Sequence, residues 1–156
     1  MKKRLEVLFK QIETYRSEVV DVVKNMTKEE AEIIPNGFNN NIRWNLGHIY
    51  LDQYLWIQSL TKKNLEVTEQ FNFWFGFGTS PNNFTFETPS LDKLLVLLQK
   101  QPIKIKEAYS DMLEIEFPPI EMGMCTIEQV LIRTIFHEGL HLQRIIDIKK
   151  CINKSF

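Results

Sequence analysis

Four long stretches of this chain repeat apolar residues with the 3.6-residue period of an α-helix, and no segment reads as an obvious strand. The first stretch runs from about Lys3 to Asn25, with Leu5, Leu8, Phe9, Ile12, Tyr15, Val19, Val22 and Val23 on one side and Lys, Glu and Arg on the other. Thr27 and Glu30 have the spacing of a capping box, which opens a short helix that Pro35-Asn36-Gly37 should end. The second long helix is expected from about Asn41 to Leu60. The third covers about Ser90 to Glu114, where Pro102 should kink it. The last begins at a second capping box, Thr126 with Gln129, and continues to about Lys150.

Between the second and third helices the composition changes. FNFWFGFGTSPNNFTFE holds seven aromatics, two glycines and a proline, and residues 64–89 read as a loop. A connection of that length can run back along a bundle helix of ~30 Å, so the helices it joins can point the same way. The expected fold is all-α: an up-down-down-up four-helix bundle with a long aromatic-rich loop between helices 2 and 3. With 156 residues, the whole chain, 1–156, is expected to form one domain.

Charge and apolar runs narrow the partners. A formal net charge of -1 with dispersed lysines gives no reason to expect nucleic acid or an anionic membrane surface. No apolar run approaches the ~20 residues of a membrane span, and the basic start MKKR leads into a mixed helix rather than a signal-peptide core. Cys125 and Cys151 have neither metal-ligand nor disulfide-framework spacing, so a reducing cytoplasm is the expected location.

Two of the helices are apolar nearly all round except for one narrow polar stripe. On a wheel of 100° per residue, Asn41, Asn45, His48, Asp52 and Ser59 fall within roughly 60°. In the last helix Arg133, Thr134, His137, His141 and Arg144 share a stripe. A solvated face normally gathers Lys and Glu. These stripes hold neither, which fits an internal polar pocket whose groups must find partners.

All three histidines of the chain lie on the stripes. His137 and His141 are four residues apart, about 6 Å along a helix axis and on one face. With His48 from the facing helix they make a three-nitrogen set with an open position, the pattern of a catalytic metal site. Imidazole suits zinc, nickel, iron and copper, and zinc or nickel is expected here. The open position can take water or a thiol, either of which the ion makes nucleophilic near neutral pH. Each imidazole should give its second N–H to an acceptor, with Asp52 and Glu138 as candidates.

His137-Glu138-Gly139-Leu140-His141 also matches HExxH, in which Glu138 would be the general base of a zinc protease. Against that stand an upstream third histidine on another helix and the lack of a strand to bind an extended peptide.

NIRWNLGHIYLDQYLWI with its Trp-Asn-Leu-Gly-His core, the aromatic Gly-Thr-Ser-Pro region and HEGLHLQRI resemble the DinB/YfiT-like family of small four-helix metalloproteins. The resemblance covers most of the chain and implies that His48, His137 and His141 bind a divalent metal. It further implies a homodimer and a small-molecule substrate. Characterised relatives include transferases that use low-molecular-weight thiols, bacillithiol or mycothiol, so a thiol-dependent S-transferase is the leading expectation. A metal-dependent hydrolase and a non-enzymatic, stress-related metal-binding bundle are the alternatives. After HEGLH many relatives carry a glycine where this chain has Leu142-Gln143-Arg144.

Substrate-binding candidates are Trp44, Asn45, Arg133 and Arg144. The two arginines either clamp a carboxylate or pair with Asp147, Asp52 or Glu128. The aromatics from Phe71 to Phe86 either line the entrance to the metal or cover the core and an interface. Cys125 is either a helix N-terminal thiol or a small buried hydrophobe.

Overall fold

Side chains make the helix starts that the sequence spells out. Thr27 and Glu30 form the reciprocal capping box at the head of a five-residue helix. Asn41 Oδ1 accepts from the Trp44 N–H at 2.8 Å, and Ser90 Oγ accepts from the Lys93 N–H at 3.3 Å. Thr126 and Gln129 exchange side-chain and backbone hydrogen bonds ahead of the last helix. Each satisfies N–H groups that a helix N-terminus leaves unpaired.

The computed structural model describes residues 2–153. Its helices are α1 Lys3–Val23, α2 Lys28–Glu32, α3 Ile42–Thr61, α4 Glu66–Phe75, α5 Leu91–Tyr109 and α6 Ile127–Asn153, with 3₁₀ turns at Pro81–Asn83 and Glu121–Gly123. No strand occurs among the described residues. The long helix α3 packs on α4, α5 and α6, and α1 packs on α5 and α6. Two apolar clusters form the core. In one, Val19, Val20 and Val23 of α1 meet Leu46 and Tyr50 of α3, Phe71 and Phe75 of α4, and Ile145 and Ile148 of α6. In the other, Leu5, Leu8, Phe9 and Ile12 meet Ile57, Leu60, Ile105, Ile127 and Leu131.

Three expectations need correction. Residues 64–89 are not loop throughout, because Glu66–Phe75 is helical. Thr68, Phe71, Trp74 and Phe75 recur at helical spacing and bury one face, and the glycines and proline that suggested a loop begin only at Gly76. The third long helix ends at Tyr109 rather than near Glu114. It also carries Pro102 in its interior, where the missing N–H leaves the carbonyl four residues earlier without its helical donor. Finally, Arg16 does not join the polar side of α1: it is 1% exposed, between the two apolar clusters.

Gly47 lets α4 lie close against α3. A Cβ built at that position would run into the ring of Phe75, which is fully buried. Alanine is the better helix former by about 1 kcal/mol, but overpacking a core typically costs about 1–3 kcal/mol. Gly47→Ala is therefore expected to lower the thermal midpoint despite the gain in helix propensity. A raised midpoint would show that Phe75 moves aside freely.

Candidate metal centre

α3 and α6 face each other with their polar stripes inward. Asn41, Asn45, His48 and Asp52 are all buried, as is Thr134, while His137 and His141 are half-buried. The ring centroids lie 5.1 Å apart for His48 and His137, 4.7 Å for His48 and His141, and 4.5 Å for the helical pair. One nitrogen from each ring falls within 4.8 Å of the others, a group able to hold a metal ion.

The Nδ1 atoms all turn outward to acceptors. His48 Nδ1–H donates to the Phe75 carbonyl at 2.6 Å, at the C-terminal end of α4. His141 Nδ1–H donates to Asn45 Oδ1 at 2.8 Å, and the Asn45 amide is oriented by its own Nδ2–H bond to the Asn41 carbonyl at 2.7 Å. His137 Nδ1–H faces Asp52 Oδ2 at 3.0 Å. With these protons donated outward, the Nε2 lone pairs point into one space. Those of His137 and His141 are 3.2 Å apart, close to the roughly 3.3 Å between two nitrogens on one tetrahedral zinc ion. Two facing lone pairs repel, and a shared cation removes that repulsion. The donor set fits a divalent metal on both counts.

Burial favours the neutral, metal-binding form of two of the rings. Burial lowers the pKa of His48, and burial with the neighbouring imidazoles lowers that of His141 to about 3. Burial alone would raise the Asp52 carboxyl. Its bond to His137 and the charge of Arg133 outweigh that effect and hold it below the usual value.

Asp52 is itself fixed on both oxygens. Trp56 Nε1–H reaches Oδ1 at 3.1 Å, and Arg133 reaches Oδ2 at 2.8 Å while stacking over the Trp56 ring. Arg133 thus lies behind the histidines, holding the carboxylate that faces His137. Arg144 is placed differently. It stacks on Phe38 at 5.3 Å and helps line a cavity of about 690 Å³ that reaches His48, His137 and His141. Trp44 and Asn45 line the same cavity. The Trp44 ring lies parallel to His48 at 4.7 Å, and its indole N–H donates to Thr79 at 2.9 Å.

Glu138 points away from the histidines and forms a buried pair with Arg16 at 2.6 Å. Its carboxylate holds no imidazole. The sequence gives no sign of the Phe75 carbonyl, a backbone contribution that leaves no trace in residue type, or of Asn39 and Asn40, which line the cavity from a loop outside the two stripes.

A model of the DinB superfamily matches residues 11–145, a span that contains all three histidines. The chain belongs to the DinB superfamily. No curated protein matches it. In this DinB chain the three histidines come from helices far apart in sequence, and their supporting acceptors come from α3 and α4.

Replacing Asp52 by Ala should weaken zinc binding by about 10–100-fold while the chain stays folded, because His137 loses the acceptor that sets its tautomer. Competition with a chromophoric chelator reads this directly. Unchanged affinity would mean that Asp52 does not orient the ligand.

Proposed function

We propose that this DinB-superfamily chain is a metal-dependent enzyme, a thiol S-transferase in which His48, His137 and His141 hold zinc or nickel. The observation that carries the reading is the convergence of three Nε2 atoms, each backed by a fixed Nδ1 acceptor, beside a cavity of about 690 Å³. A bound divalent ion would supply a Lewis acid that lowers the pKa of a thiol at its open position.

The chain's own residues support an exchangeable position. A closed structural site needs a fourth protein ligand. Asp52 is engaged by Trp56, Arg133 and His137, and Glu138 is engaged by Arg16, so neither nearby carboxylate supplies it. The cavity has room for a small organic thiol with its acceptor. Arg144 has no ion pair or hydrogen bond to other described residues, which leaves its guanidinium free for an anionic group on such a molecule. Trp44, Phe38 and Phe77 offer apolar surface to the remainder.

The bundle order up-down-down-up and a homodimer belong to the same proposal. Ile132, Phe136 and Leu140, four residues apart on α6, are each more than half exposed and give a second copy an apolar face to use.

The test is cobalt substitution followed by addition of a low-molecular-weight thiol. A sulfur-to-cobalt charge-transfer band should appear, and His137→Ala should abolish both the band and thiol transfer to a model electrophile. Turnover of an ester substrate without any such band would assign the nucleophile to water instead. Transfer that survives His137→Ala would overturn the reading.

A further inference from the structure

The buried pair between α1 and α6 sits where neither helix pattern calls for charge. Arg16 falls in the row Leu5, Phe9, Ile12, Val19, Val23, and Glu138 in the row Ile127, Leu131, Thr134, Ile145. The two groups are 1% and 5% exposed. The contact is bidentate, Arg16 Nε to Glu138 Oε1 at 2.6 Å and Nη2 to Oε2 at 3.0 Å.

The rest of the guanidinium reaches the other two long helices. Nη1 donates to Gln101 Oε1 at 2.8 Å and to the Leu98 carbonyl at 3.0 Å, both on α5. Leu98 is the residue whose carbonyl Pro102 leaves without a helical donor, so Arg16 fills a vacancy written into the α5 sequence. Nη2 also donates to Gln53 Oε1 of α3 at 3.2 Å. Gln53 Nε2 continues to Thr134 of α6 at 3.2 Å, and Gln101 Nε2 to the Tyr50 carbonyl of α3 at 2.7 Å. One buried side chain therefore ties α1, α3, α5 and α6 together, within five residues of His48 and one residue of His137.

Apolar residues of the same volume generally stabilise a core as well as a buried ion pair does, or better. What the pair adds is direction. On α6, His137 lies about 100° from Glu138 around the axis and His141 about 60° from it on the same side. Fixing Glu138 toward α1 consequently fixes both imidazoles toward α3.

We propose that Arg16 and Glu138, with Gln53 and Gln101, are positioning residues for the metal site: they set the rotation of α6 that brings His137 and His141 to His48. In this chain the glutamate of HEGLH acts on the metal through its neighbouring ligands and not as a base. The inference rests on the metal reading of the three histidines.

The test compares wild type with Arg16→Met/Glu138→Met, which removes both charges together, and with Glu138→Gln, which keeps an acceptor for Arg16. Cobalt affinity and the visible ligand-field spectrum are measured beside the thermal midpoint. The double variant should fold and bind cobalt about 10–100-fold more weakly with an altered spectrum, and Glu138→Gln should retain more of the affinity. Wild-type affinity and spectrum in a folded double variant would overturn the proposal and leave the pair a purely structural contact. If the double variant does not fold, Glu138→Gln and Gln53→Leu decide: wild-type affinity and spectrum in both overturn it, and weakened binding in either, at a temperature where the variant is folded, supports it. Failure of wild type to bind any cobalt would instead remove the metal reading itself.

Discussion

Polar groups buried between α3 and α6 have to find partners inside the protein, and that requirement fixes how the two helices face. An unpaired buried donor or acceptor costs about 1–3 kcal/mol, and an unpaired charge more. Asn45 answers this by joining the Asn41 carbonyl to His141, Asp52 by joining Trp56 and Arg133 to His137, and Gln53 by joining Arg16 to Thr134. Rotating either helix would break several of these bonds at once. The geometry of the three imidazoles follows from satisfying their neighbours.

The aromatic α4 serves the same end. It closes over α3 at Gly47, where the absence of a side chain admits the Phe75 ring, and the Phe75 carbonyl then reaches His48. Trp44 completes that side by stacking on His48 and bonding to Thr79 in the loop beyond α4. Sequence that looks like mere core covering thus supplies one of the three acceptors on which the histidine group depends.

Much of this was legible in the sequence because periodicity and capping are local. The boxes at Thr27 and Thr126, the Asn41 and Ser90 starts and the two polar stripes all rest on residues within a few positions of one another. What escaped was either backbone or long-range. α4 was obscured because counting aromatics hides their spacing, although Phe71, Trp74 and Phe75 carry it. Phe75 contributes through a carbonyl, which any residue has. Arg16 and Glu138 could have been found: each interrupts an apolar row, and opposite charges at core positions of two helices invite pairing. Their partners Gln53 and Gln101 lie on two further helices, and only the folded arrangement brings the four together.

In the proposed site three Nε2 atoms share one ion and leave it an exchangeable position. X-ray absorption at the zinc edge of the loaded protein tests this most directly. The proposed site would give three imidazole nitrogens at about 2.0–2.1 Å with one further light atom, which a small thiol would replace by sulfur at about 2.3 Å. Fewer than three imidazoles, or a fourth protein ligand that no added thiol displaces, would contradict it.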